Sequence, residues 1–95
     1  MTGKYVIVRG DRSGVFAGVL ESQEGQKVVL RQVRRLWRWW GATECLQIAT
    51  GGVKKPRECR FTLVADSITL LDAIEIIPTT ANAEANIKAV PVWKM

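Results

Sequence analysis

Short β-branched runs separated by glycine-bearing turns fill the opening third of the chain, and they restrict its fold more than any other feature. "YVIVR" stops at Gly10, "GDRSG" supplies turn residues, "VFAGVLE" runs from Val15 to Glu21, "SQEG" turns again, and "KVVL" begins at Lys27. Parallel neighbours would need a crossover of about a dozen residues. These connections are too short for that, so a meander of antiparallel strands is predicted. Gly18 lies inside the second run and marks a bulge or a close approach by another element.

The third element can be read in two ways. Val29, Val33, Leu36, Trp37 and Trp40 recur at helical spacing, with Arg31, Arg34, Arg35 and Arg38 on the opposite face. Read as a strand, Val29, Val33, Trp37 and Trp39 share a side with Arg31 and Arg35, which requires a bulge. The β-branched start and the short connection from the second strand favour a long, bulged strand.

Gly41 ends that element. "ATECLQIATGG" predicts a short helix capped by Thr43, with Leu46 and Ala49 on one face and Gly51–Gly52 as its stop. "VKKPREC" is a basic loop fixed by Pro56. "RFTLVA" and "SITLLDAIEIIP" are strand-like, divided near Asp66 and Ser67, and Pro78 halts the second. "TTANAEANIKAV" predicts a helix with Thr79 or Thr80 as cap, Ala83 and Ile87 buried, and Pro91 beyond its end. Val92 and Trp93 are expected to dock back onto the sheet.

The predicted fold is α+β: an antiparallel sheet of about five strands with a short middle helix and a C-terminal helix, in one domain over 1–95. With one face covered by helix, the other would be open to a ligand or a second subunit. A homo-oligomer is expected, because 95 residues bury a limited core.

Several function classes drop out. The chain has no histidine, which removes Ser-His-Asp and Cys-His constellations and the commonest acid/base group near neutral pH. No paired carboxylates stand at a telling spacing, and Asp72 and Glu75 read as charges on a solvated strand face. There is no P-loop and no dinucleotide fingerprint. No catalytic residue, metal or cofactor is therefore expected. Cys45 and Cys59 lack metal-ligand spacing and read as buried free thiols. No apolar run is long enough to span a bilayer, "MTGKYVIVRG" has no signal-peptide core, and a cytoplasmic protein without a membrane partner is expected.

Charge points the other way, toward a partner. Of the +5 formal charge, residues 27–60 carry nine Lys/Arg against two Glu, a balance of +7, and the rest of the chain sums to −2. That asymmetry suggests an anionic partner met by one face. Within it, "RRLWRWWG" (residues 34–41) packs three of the four tryptophans among three arginines. Guanidinium groups bind phosphate in bidentate fashion, and indole faces stack on bases. The phosphate candidates are Arg34, Arg35, Arg38, Lys54, Lys55 and Arg57, and the stacking candidates are Trp37, Trp39 and Trp40. The plainer reading is that such aromatics close a core while arginine stems lie over them. Trp39 and Trp40 limit that reading, since adjacent strand residues point to opposite sides.

"YVIVR", "GVFAG", "VVLR", "RRLW", "AIEIIP" and "AVPVWK" together resemble a family of short phage-encoded proteins of unknown function, over Tyr5 to Lys94. The resemblance implies a phage origin and the host cytoplasm, and brings no catalytic or binding residues. The chain departs from the family pattern after "RRLW", where Arg38 and Trp40 make it more basic and more aromatic. The function expected is non-enzymatic sequestration of a small nucleotide-like or phosphorylated ligand, for instance a host immune signal. The alternative is a single-stranded nucleic-acid-binding or host-takeover regulatory protein.

Overall fold

The structure, a computed structural model, describes residues 2–94. Strands β1 (Tyr5–Gly10), β2 (Val15–Glu24) and β3 (Lys27–Arg38) form the expected antiparallel meander. Helix α1 (Cys45–Gly51) and a 3-10 turn (Pro56–Glu58) follow, then β4 (Arg60–Phe61), β5 (Ala65–Leu70), β6 (Ala73–Pro78) and helix α2 (Ala81–Ala89). The fold is α+β, with six antiparallel strands in the sheet.

The sheet is not flat. β5 pairs with β3 on one edge, while β6 pairs with β1 on the other. Only Leu71 and Asp72 join them, a reach of about 11 Å at 3.8 Å per Cα step. Four strand spacings in a flat sheet measure about 19 Å, so the sheet must curl and bring its edges together. Asp72 fixes this corner: its carboxylate accepts hydrogen bonds from the Arg12 and Ser13 amides and from Ser13 Oγ, at 2.8, 3.0 and 2.7 Å. The expected division near Asp66 and Ser67 is therefore displaced. Both residues lie within β5, and the break falls at Leu71–Asp72.

Curling gives the sheet two buried faces instead of one. Val6, Val8, Phe16, Leu20, Val28, Leu30, Val33 and Leu70 pack inside the curl. Tyr5, Ile7, Leu36 and Phe61 pack outside it, against Ile48 and Ala49 of α1 and Ile87 of α2. This is why four successive residues of β1, Tyr5 to Val8, are all buried. The face expected to stay open is the interior of the curl.

β3 is a strand, and its bulges explain its helical look. Gln32 adopts φ +49° opposite Gly18, where the pairing with β2 slips by one residue. A Cβ on Gly18 would lie 2.9 Å from the Arg31 carbonyl oxygen and 3.0 Å from the Val33 Cα, so only glycine fits beside this bulge. Before Gln32 the residues on the curl-facing side are Val28 and Leu30, and after it they are Val33 and, exposed at the rim, Arg35. A second slip between Leu36 and Arg38 against β4 swaps the sides again. Leu36 and Trp39 consequently face the same helix-covered cluster.

The helices match in position and differ in detail. Glu44 caps α1 in place of Thr43, its carboxylate accepting from the Leu46 amide at 2.8 Å, and Thr43 donates to Gln47. Ile48 and Ala49 are buried there, while Leu46 is exposed. Thr80 caps α2 with its hydroxyl on the Ala83 amide, and Ala83 and Ile87 are buried as expected. The tail docks: Val92 bridges Phe61 in parallel, and the Trp93 amide donates to the Phe61 carbonyl at 2.9 Å.

Candidate functional site

The far end of β3 carries the expected residues, and its two bulges distribute them over different surfaces. Arg34 points to the helix-covered side and is 2% exposed. Its Nε donates to the Thr62 carbonyl at 3.0 Å, and its Nη1 donates to the Ile87 and Val90 carbonyls, both at 2.9 Å. It thus ties β3 to the end of α2 and lies 5.3 Å from the Phe61 ring centre. Arg34 was expected to grip phosphate; the bulge at Gln32 instead sets it on the helix-covered face, beneath α2.

Trp39 is half-buried against the helix-covered cluster and serves packing. Arg35 is exposed, its guanidinium 4.8 Å from the Phe16 ring centre, in a small groove of about 210 Å³ shared with Thr62 and Ser67. These three residues do not join one site.

Trp37, Arg38 and Trp40 do stand together on the surface, with two partners that the spacing did not single out. Trp37 (55% exposed) stacks on Trp93 (36% exposed), with centroids 4.9 Å apart and planes at 27°. The Arg60 guanidinium lies 5.4 Å from one ring centre and 5.1 Å from the other, so the three groups form a nearly equilateral triangle. Arg38 pairs with Arg60 across β3 and β4, and its guanidinium lies 5.4 Å from the ring of Trp40, itself 49% exposed. Two indole stations and two arginines therefore gather about the paired ends of β3 and β4. Only the aromatic end of Arg60's placement was readable: Trp93 was expected to dock on the sheet, whereas nothing in the spacing marks Arg60.

The basic loop runs beside this surface. The Lys54 amide donates to the Gly41 carbonyl at 3.3 Å, and the Trp40 amide donates to Cys59 Sγ at 3.4 Å. Gly41 has φ +83°, and a Cβ there would sit 2.6 Å from the Lys54 nitrogen. Lys54, Lys55 and Arg57 are all exposed. Lys55 makes a 3.9 Å contact with Glu58, an exposed pair that adds little stability. Among the described residues, no carboxylate lies within ion-pair distance of Arg38, Arg60, Lys54 or Arg57.

Burial pushes the thiols of Cys45 and Cys59 up, so both stay protonated and un-nucleophilic. Among the described residues, no group of three or more His, Cys, Asp or Glu stands together as a metal site, and no helix is long and apolar enough to cross a membrane. What remains is positive charge without counter-charge, interleaved with exposed ring faces.

Residues 3–87 match the model of a family described as a Domain of unknown function (DUF6948), and the chain belongs to that family. Neither a curated protein nor a solved structure matches it.

Proposed function

We propose that this member of the DUF6948 family is a non-enzymatic binding protein that holds nucleotide units on its exposed Trp–Arg surface. The observation that carries the reading is the Trp37–Trp93–Arg60 triangle, two exposed indoles and an unpaired guanidinium within 5.4 Å of one another. Ring faces stack on bases at about 1–3 kcal/mol each, and the guanidinium reaches the adjoining phosphate. Trp40 with Arg38 offers a second station, and Lys54 and Lys55 extend the charge.

The surface is open, and that favours a strand of nucleotides over a lone one. A small ligand is normally enclosed on most sides, whereas stacking along a single strand needs only successive plates and a basic track. Sequestration of a single nucleotide-like signal uses the same chemistry, with a second copy of the chain supplying the missing wall. The resemblance to phage-encoded proteins supports the host cytoplasm as the setting of either activity.

Tryptophan fluorescence separates the two sources. The full chain is titrated with oligo(dT), oligo(rU), cyclic dinucleotides and ADP-ribose, at about 50 and 200 mM salt. A single strand engaging three or four basic groups should quench the emission with a log–log salt slope of about −2 to −3. Quenching by a cyclic dinucleotide alone, with one ligand per two chains, would assign the sequestration form. Absence of quenching by every ligand at about 100 μM would overturn the binding reading altogether.

A further inference from the structure

We infer that the groove between β3 and α2, floored by Arg34 and walled by Tyr5 and Lys88, is a binding site for a small carboxylate, distinct from the Trp–Arg surface. The groove has a volume of about 450 Å³ and is lined by Tyr5, Gln32, Arg34, Val64, Asp66 and Lys88.

Its floor carries an unmet demand. Arg34 spends Nε and Nη1 on three carbonyl oxygens, but its Nη2 is buried without a hydrogen-bond partner among the described residues. No carboxylate of the described residues lies within ion-pair distance of it. A buried guanidinium with a free donor and no counter-charge is an expensive arrangement that folded proteins rarely leave unanswered.

Two further features point into the same groove. Gln32 is the only non-glycine with positive φ among the described residues, and backbone strain of this kind gathers at ligand sites. Tyr5 is held protonated by burial, which keeps its hydroxyl a donor at any ordinary pH. The Lys88 ammonium stands 5.0 Å from the Tyr5 ring centre.

Charge counting selects the ligand class. Lys88 is already matched by Glu84, its Nζ 2.5 Å from the Glu84 Oε2, and Asp66 stands on the groove lining. Arg34 and Lys88 are thus matched in number by Asp66 and Glu84, so the groove sums to zero and takes at most one added negative charge, while Arg34 Nη2 is its one unmet donor. A monoanion with two acceptor oxygens fits, one oxygen on Nη2 and the other on the phenol; a phosphate dianion would oppose Asp66 and Glu84 as well.

The test is an NMR titration of the isotope-labelled full chain with sodium acetate, with chloride exchanged to hold ionic strength constant. Saturable shifts at the amides of Tyr5, Val64 and Lys88, with a Kd of about 1 mM or tighter, are expected. Tyr5→Phe, which keeps the ring that packs the core, should weaken binding about tenfold. Shifts that fail to saturate, or an unchanged Kd in Tyr5→Phe, would remove the site. Tighter binding of inorganic phosphate than of acetate would overturn the carboxylate class.

Discussion

Arg34 lies beneath α2 with three carbonyl oxygens on its guanidinium, whereas Arg35, one residue on, lies in solvent over the ring of Phe16. The two side chains are chemically identical and project from opposite faces of one strand. Burial alone separates a structural tie from a surface charge. A hydrogen bond made by a buried charge, and the carbonyls that would be stranded by its loss, weigh several times more than an exposed cation–ring contact. The largest effect expected for this molecule follows directly. Arg34→Met should lower the unfolding free energy in urea by about 3 kcal/mol or more, since the buried Ile87 and Val90 carbonyls and the half-buried Thr62 carbonyl each lose a charged donor at once. Arg35→Met should change it by less than about 1 kcal/mol. Equal losses would break the comparison.

Tyr5 sharpens the same contrast through pH. Burial raises its pKa to about 12, with Arg34 pulling the other way and Glu84 adding to the rise. Between its ordinary value of 10.0 and about 12 the folded chain keeps a proton that the unfolded chain releases. The resulting stability is complete below pH 10 and drains away as pH climbs toward 12, by roughly 2 to 3 kcal/mol. Urea unfolding of wild type and Tyr5→Phe at pH 9 and near pH 12 reads this as a difference between the two proteins. A slope shared by both would assign it to other groups.

The bulge that puts Arg34 and Arg35 on their respective faces can also be attacked. Gly18→Ala places a Cβ 3.0 Å from the Val33 Cα and 2.9 Å from the Arg31 carbonyl oxygen, with backbone on both counts. A loss of about 1–3 kcal/mol is expected, as for other overpacked sites. Amide hydrogen exchange should show the loosening centred on Arg31 to Arg35. A neutral Gly18→Ala would mean that β2 and β3 can separate here without cost.

These details mark where the sequence was legible. Residues that settle their own local geometry were readable: the β-branched runs of β1 to β3, Gly18 as a bulge or close approach, a cap at Thr79 or Thr80, and a tail that docks through Val92 and Trp93. The opposition of Trp39 and Trp40 was readable too, one packed on the core and the other exposed. Features that depend on distant partners were not. The corner at Leu71–Asp72 hides inside a continuous apolar run, because what turns it is an acceptor site for Arg12 and Ser13, some sixty residues earlier. Two bulges in β3 space its buried residues at two and three positions, and that mixture imitates a helix. Arg60 gains its importance only when β4 pairs with β3, and Arg34 loses its surface role only when α2 closes over it.

The smallest expected stability effect lies at the surface most exposed to a partner. Trp37 and Trp93 are each at least one-third exposed, so their mutual contact replaces only part of their hydration. A double-mutant cycle of Trp37→Ala and Trp93→Ala should return a coupling of about 0.5–1.5 kcal/mol, the range of an aromatic pair. In an Arg60→Gln background the coupling should shrink, because the guanidinium that lies over both rings no longer polarises them. The unfolding midpoint should barely move in Arg60→Gln alone, while quenching by oligo(dT) weakens. If Arg60→Gln instead destabilised the protein as strongly as Arg34→Met, the triangle would be a second structural tie. The distinction between the two arginine settings would then collapse, since a half-buried surface guanidinium would be as costly to remove as a fully buried one.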